Sequence, residues 1–393
     1  MAIKILEVDL YDGLKDIPVE PGYEFYRILV RICRQPVGWI KIPASADNLI
    51  SVNKLNAAIA NQISWHIIHK SFSLLFQHRH TNPHPSAPIS LVVCTRNRSV
   101  QLANCLQSLL AIDYPNYEII IVDNAPDNDE TYKLATSMNV RYVCEKRPGL
   151  DWARNRGIQE ASHDIVAFTD DDVNVDRYWL QAINKAFSNP QVMAVTGYVA
   201  PAELETDAQI IFELSYGGMG HGFYRRVVNK KLISHTQLIR ASNFGIGANM
   251  SFRRNIFSKI GVFDTALDVG TPSSGGGDIE MLHRLVAMGH TLIYEPAALV
   301  WHTHRRNLEA LKKQILFNGI SYGCYLITCI RNRTAKRSTV IKFFLFDWFY
   351  KWALRNLLRS KIPKSFAAME IYGMMKSPRA YKKSQSHAKK LAV

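Results

Sequence analysis

The chain has no run of about 18 apolar residues, so no membrane-spanning helix is expected. Its nearest approach, residues 319–330, is too short. It has no CxxC pair and no Cys/His spacing of the kind that builds a zinc site. Its six cysteines (Cys33, Cys94, Cys105, Cys144, Cys324 and Cys329) are scattered, and Cys94 and Cys144 fall in apolar, strand-like runs. Reduced thiols in a cytoplasmic protein are the expectation. Glu7 and Asp9 come too early for an apolar secretory leader, so none is expected. A glycine-rich phosphate loop ending in Gly-Lys-Ser/Thr is also missing. Acidic residues are scarce at one end only. From 331 to 393, 16 Lys/Arg face only Asp347 and Glu370, and this stretch carries nearly all of the net charge of +15. Basicity confined to a tail points to a partner for that tail rather than to the fold.

What is present is enough for a large core: 393 residues, 47% of them hydrophobic. Residues 23–43, "YEFYRILVRICRQPVGWIKIP", read as two strands around a turn at Gln35 and Pro36. Residues 48–78 have helical spacing through Leu49, Val52, Leu55 and Ile59. Residues 81–87 lie in the proline-rich stretch "HRHTNPHPSAPIS" and read as a linker. Its histidines are read as solvated rather than as metal ligands, since such loops hold no fixed geometry. From 88 onward short apolar runs alternate with helical patterns: "PISLVVCT", "RSVQLANCLQSLLAI", "YEIIIVDNAPDND", "GLDWARNRGIQEA", "DIVAFTDDD". That alternation predicts an α/β fold with a largely parallel sheet. Ligands bind such sheets beyond the carboxyl ends of the strands. Three strand ends carry polar groups that should converge there: Thr95, Arg96 and Asn97; Asp123 and Asn124; Asp170, Asp171 and Asp172.

Three adjacent carboxylates repel one another and call for an explanation. A helix N-cap accounts for one aspartate at most, and Asn174 or Asp176 is better placed for that task. In extended backbone Asp170 and Asp172 point to one side. Two carboxylates on one side at a strand end suit a hard divalent cation, Mg²⁺ or Mn²⁺, that also holds substrate phosphates.

With these segments in view, residues 88–320 resemble the family 2 glycosyltransferases, which have the GT-A fold and act with inversion. The resemblance also rests on "GANMSFRRNIFSKIGVFD" and "GGGDIEMLHRLVAMGHTLIYEPAALVWH", which follow in the family's order. It implies a mixed, mainly parallel sheet flanked by helices. It implies that Thr95, Arg96 and Asn97 line the nucleotide site, that Asp123 meets the base or ribose, and that Arg154, with Asn155, lies beside the nucleotide. The aspartate triplet supplies the DxD motif: Asp170 toward the ribose or sugar, Asp172 on the metal, Asp171 sharing either task. Asp278 becomes the general base on the acceptor hydroxyl; the alternative is a plain helix cap. The family often has Glu-Asp here, and this chain has Gly277 before Asp278. His302, rather than His304, matches the family's further metal ligand.

The resemblance implies a metal-dependent, inverting transfer of one sugar from a nucleotide-diphospho-sugar to a glycan, lipid-linked or other hydroxyl acceptor. The QxxRW motif of processive synthases is absent. Two other classes are weighed: an inactive, membrane-docked nucleotide-sugar-binding protein, and a sugar-phosphate nucleotidyltransferase. The latter needs glycine in the loop after the first strand, which here reads "TRNRS". The expected organisation is a small β-hairpin-plus-helix appendage (1–80), the linker (81–87), the catalytic domain (88–320) and a basic amphipathic region (321–393). In the last, 339–366 reads as an aromatic, basic helix suited to an anionic membrane surface, and 377–393 as disordered. The protein is expected to be cytoplasmic, peripheral at the membrane, and without a nucleic-acid partner, since no recognition motif accompanies the charge.

Overall fold

The computed structural model describes residues 2–44, 48–78, 85–359 and 362–392. Strand β1 (Ile3–Asp9) is followed by a short β2 (Ile17–Pro18), then by β3 (Phe25–Ile32) and β4 (Gln35–Pro43). β1 runs parallel to β3, and β4 antiparallel to it, giving a three-stranded sheet rather than a bare hairpin. β5 (Leu49–Ile50) pairs with β2 and leads into helix α1 (Val52–His78). Leu55, Ile59 and Ile63 of α1 cover Tyr26, Ile28, Val30 and Ile40 of the sheet. The turn lies at Cys33 and Arg34, two residues before the expected position. Both adopt positive φ, 48° and 68°, as a primed two-residue hairpin requires. The Asp9 carboxylate takes the Arg34 N–H, and the Arg34 carbonyl takes the Arg31 guanidinium. Pro36 misled the reading: it sits inside the strand, opposite Arg31.

This sheet is tied to the rest of the chain. Arg31 forms a buried ion pair with Asp176 at 2.6 Å, the Trp39 indole N–H donates to the Tyr198 hydroxyl, and the Ile3 N–H donates to the Leu204 carbonyl. Of the expected linker, 81–84 fall outside the described residues, as do the histidines at 80 and 84.

The central sheet is built in order from β6 (Ile89–Thr95), α2 (Ser99–Leu110), β7 (Tyr117–Asn124), α3 (Glu130–Ser137), β8 (Arg141–Glu145), α4 (Leu150–Glu160), β9 (Ile165–Asp170) and β10 (Val173–Val175). It continues through α5 (Trp179–Ala186), β11 (Val192–Pro201), α6 (Asp207–Ile210), β12 (Arg226–Val228), α7 (His235–Ile239), β13 (Asn249–Arg253), α8 (Ile256–Ile260), α9 (Gly277–Ala287) and β14 (Thr291–His302). Among the described residues nine strands join, in the order β10-β14-β11-β13-β9-β6-β7-β8 with β12 also on β14. β6, β7, β8, β9, β11 and β14 run one way; β10, β12 and β13 run against them. This is the mixed, mainly parallel sheet that was expected. Every residue of β6 is buried, because helices cover both faces. α2 and α5 close one face around Leu102, Leu106, Trp179 and Ile183; α9 and later helices close the other around Val92, Phe168, Phe252 and Met281.

α10 (Leu308–Arg331) runs through the boundary drawn at 320. Next come α11 (Arg337–Lys342), a wider π-helical stretch (Phe343–Leu354) and α12 (Arg355–Arg359), so the aromatic helix begins near its expected place. It does not run on to 366: a separate helix, α13 (Lys364–Leu391), starts there. The expectation of disorder from 377 is wrong. α13 stays helical and lies along α10, where a side chain on Gly319 would strike the Glu370 carbonyl and one on Gly373 the Leu316 carbonyl. Ser377, Tyr381 and Ser384 form a buried stripe at helical spacing, and the Ser384 hydroxyl donates to the Ala266 carbonyl. The lysines and arginines take the outer face.

Candidate active site

The carboxyl ends of β6, β7 and β9 do converge. A cavity of about 380 Å³ is lined by Thr95, Arg96 and Arg98 after β6, Asn124 at the end of β7, and Asp170, Asp171 and Asp172 at the end of β9, with His302, His304 and Arg305 closing it. A second cavity, about 710 Å³, is lined by Arg154, Gly247, Asp278, Tyr322, Phe343, Trp348 and Trp352 among others. Leu150, Asp170, Met219, Val269 and Gln314 belong to both, so the two spaces meet at Asp170.

Each aspartate of the triplet has its own surroundings. Asp171 turns inward and has both oxygens occupied: the Thr95 hydroxyl donates at 2.7 Å and Arg98 Nη1 at 2.5 Å. Burial lifts its carboxyl to about 6 despite Arg98. Asp170 stays partly open at the junction of the cavities. Burial raises it to about 7; Arg154 opposes this and the neighbouring aspartates add to it. For Asp172 burial opposes ionisation, but His302, Arg98 and Arg305 outweigh it and hold the carboxyl below its usual range. Arg98 Nη2 lies 3.0 Å from Asp172 Oδ2, while Oδ1 faces His302 Nε2 at 3.4 Å. Burial lowers His302 to about 4 against the pull of Asp172, so above that pH the ring is uncharged and carries a lone pair, and the two arginines keep Asp172 ionised. Among the described residues no group of three His, Cys, Asp or Glu gathers as a complete metal site. One carboxylate and one neutral imidazole, converging at a phosphate-sized cleft, still fit a cation that takes its remaining ligands from a diphosphate and water.

Asp278 lies in the first turn of α9, but the cap position belongs to Gly276, so it is not the N-cap. Its Oδ2 accepts the Gly247 N–H at 2.8 Å and its Oδ1 the Ile279 N–H at 2.9 Å, which fixes the carboxylate against the larger cavity. Ser274, Gly275 and Gly276 all have positive φ, the sharp turn that delivers Asp278 there. The absent glutamate has a steric reason. A side chain on Gly277 would overlap the Asp151 carboxylate, which already fills that space.

Arg154 is buried in α4 and bonds to Asp151 Oδ1 at 3.0 Å, with Asp170 at 3.9 Å. Burial opposes its charge; Asp151, Asp170 and Asp278 more than restore it. Burial and Asp268 push Asp151 well up. Asn155 turns away from both cavities and clasps the backbone N–H and C=O of Phe263. Asn97 lies outside the cavity lining and pairs with Asp127. Asp123 is fully buried below the β7 end; Tyr142 donates to Oδ2, and Oδ1 has no partner among the described residues. Sequence reading missed Arg98, Asp151, Arg305 and Glu213, whose carboxylate lies 3.2 Å from His304 Nε2. Only Asp151 left a local signal, its i,i+3 spacing to Arg154.

Residues 90–261 match the Glycosyl transferase family 2 profile. Glycosyltransferase AglE of Haloferax volcanii is 25% identical over 234 residues, 58% of this chain and 70% of that protein. The glucosyl-dolichyl phosphate glucuronosyltransferase of the same organism is 26% identical over 187 residues, 45% and 56%. The poly-β-1,6-N-acetyl-D-glucosamine synthase of Staphylococcus epidermidis is 27% identical over 234 residues, 58% and 52%. The chain thus spans little more than half the length of the last two. Among solved structures, a mannosyltransferase from Pyrobaculum calidifontis in complex with GDP-Man and Mn²⁺ aligns at TM-score 0.45 and 16% identity over 83% of this chain and 84% of that one. Residues 90–261 thus carry a family 2 glycosyltransferase domain, within the mixed, mainly parallel sheet.

Proposed function

We propose that the chain is a metal-dependent, inverting glycosyltransferase that moves a single sugar from a nucleotide-diphospho-sugar to an acceptor hydroxyl in polysaccharide, glycolipid or other glycoconjugate synthesis. One observation carries this reading: a strand-end cleft holding Asp172 and His302 joins, at Asp170, a larger cavity holding Asp278. The diphosphate lies in the first, with Thr95, Arg96 and Asn124 around the nucleotide and Asp123 beneath the base. Asp172 and His302 would hold Mg²⁺ or Mn²⁺, which when bound neutralises charge on the departing diphosphate. Asp170 orients the sugar. The acceptor hydroxyl enters from the other cavity, where Asp278 takes its proton. Attack and departure on opposite sides of Asp170 give inversion. Proton NMR of the product made from a donor of known α or β linkage checks this: the opposite anomer is expected, and retention contradicts the reading. A nucleotidyltransferase finds no support in the matched relatives.

The larger cavity is lined by Tyr322 and Trp352, with Trp348 stacked between Trp352 and Phe344, an aromatic wall against which sugar rings or an isoprenoid chain can pack. The helix carrying the two tryptophans also exposes Ile341, Leu345, Phe346, Phe349, Tyr350 and Leu358 beside Lys342, Lys351 and Arg355. No helix among the described residues is long and apolar enough to cross a membrane. This face instead rests on the anionic cytoplasmic surface of a membrane, bringing the cavity to a lipid-linked acceptor. The chain is expected to co-sediment with phosphatidylglycerol vesicles and not with phosphatidylcholine ones. Changing Phe346 and Phe349 together to Ser should weaken binding about tenfold or more. Equal sedimentation with both lipids would remove the proposal.

A further inference from the structure

We infer that a relay of buried side chains, starting in the N-terminal sheet, sets the tautomer of His302 so that its Nε2 lone pair faces Asp172. The inference rests on the reading of Asp172 and His302 as metal ligands. It reaches Arg27, well outside the segment that matches the family.

The geometry is continuous. Arg27 Nη1 on β3 donates to Glu213 Oε1 at 2.8 Å. Glu213 Oε2 lies 3.2 Å from His304 Nε2. His304 Nδ1 lies 3.1 Å from His302 Nδ1, and His302 Nε2 faces Asp172 Oδ1 at 3.4 Å. The side chains of Glu213 and His304 are 7% and 1% exposed, so water does not replace these partners.

Hydrogen-bond roles then follow one another. A carboxylate paired with arginine only accepts, so His304 Nε2 must carry the hydrogen. In the tautomer with its hydrogen on Nε2, the ring has its lone pair on Nδ1, the nitrogen that faces His302 at 3.1 Å. That nitrogen can only accept, so His302 must carry its hydrogen on Nδ1. The remaining nitrogen, Nε2, is left bare toward Asp172. This is the form that binds a cation, and the outer partner of a ligating histidine commonly fixes it in this way. In the opposite tautomer His302 would donate to Asp172 and so occupy both ligands at once.

The chain is built to hold Glu213 in place. It sits on a π-helical turn (Ile211–Tyr216), a local widening that re-aims side chains. A Cβ on Gly218 would overlap its carboxylate. His304 packs edge-on against Phe212, and its carbonyl takes the Gln209 amide. A buried Arg–Glu pair is costly to keep; aiming a ligand gives this one a use.

The test is Mn²⁺ binding to the full chain without donor, read from the electron paramagnetic resonance of free Mn²⁺. Wild type should bind, and Asp172→Ala should not; if wild type fails to bind or Asp172→Ala binds equally, the metal site itself falls, and the relay with it. Glu213→Gln is isosteric, but its amide N–H can face His304 Nε2 and reverse every donor in the chain. Glu213→Gln and His304→Phe should each weaken Mn²⁺ about tenfold. In a His302→Ala background, His304→Phe should add nothing. Nitrogen-15 shifts should show His302 protonated at Nδ1 in wild type and at Nε2 in Glu213→Gln. Unchanged Mn²⁺ affinity in folded Glu213→Gln, or an equal further loss from His304→Phe without His302, overturns the relay while leaving the metal site standing. If His304→Phe does not fold, Glu213→Gln decides alone.

Discussion

Replacing Asp278 by Asn is expected to lower kcat about a thousandfold while leaving the affinity for donor and Mn²⁺ within about twofold, the size of loss typical of a missing general base. The two sites explain the split. Asp278 lines the larger cavity, and the groups around the proposed diphosphate lie in the smaller one. Asparagine keeps the shape and can still accept the Gly247 N–H, so the loop over Gly275 and Gly276 retains its anchor. It cannot take a proton. A carboxylate suffices as base if the sugar–phosphate bond is largely broken before the acceptor proton leaves, as in an oxocarbenium-like transition state. Single-turnover kinetics beside equilibrium donor binding checks both halves. A matching loss of donor affinity would place Asp278 on the donor instead.

Replacing Asp172 by Ala is expected to act the other way round. Donor affinity should fall about a hundredfold in the presence of Mn²⁺, and adding or removing Mn²⁺ should no longer matter. Asp172 is the acidic group facing His302 Nε2, and without it that nitrogen stands beside Arg98 and Arg305, which repel a cation. The fold should survive, because Arg98 keeps its contact with Asp171 at 2.5 Å. Calorimetric titration of the donor with and without Mn²⁺, next to a melting curve, separates loss of the ligand from loss of the fold.

Much of this was legible in the chain because the signals were local. β6, β7 and β9 are apolar runs buried on both faces, and their ends announce themselves by an abrupt change to Thr-Arg-Asn, Asp-Asn and Asp-Asp-Asp. Asp278 and His302 follow a glycine turn and a long strand in the same way. What stayed hidden depends on contacts far apart in sequence. Arg98 meets Asp171 across 73 positions, and Arg27 meets Glu213 across 186. No window of sequence holds both members of either pair. Gly277 looked like a lost glutamate until Asp151 appeared in its space. At the C-terminus a dense basic composition masked a stripe of Ser377, Tyr381 and Ser384, hydroxyl-bearing residues that are buried here against the rest of the chain. The hairpin was misplaced because Cys33 and Arg34 are poor turn formers by composition, held in left-handed backbone by Asp9 and Arg31.

The most direct measurement is release of nucleoside diphosphate from a panel of UDP-, GDP-, dTDP- and CDP-sugars by the full chain, with and without Mn²⁺, beside Asp172→Ala and Asp278→Asn. At least one donor is expected to be turned over only with metal; Asp172→Ala should weaken its binding about a hundredfold and abolish its metal-dependent turnover, and Asp278→Asn should bind it while turning it over about a thousandfold more slowly. Turnover that ignores both metal and Asp172, or no binding of any nucleotide-sugar, would contradict this reading.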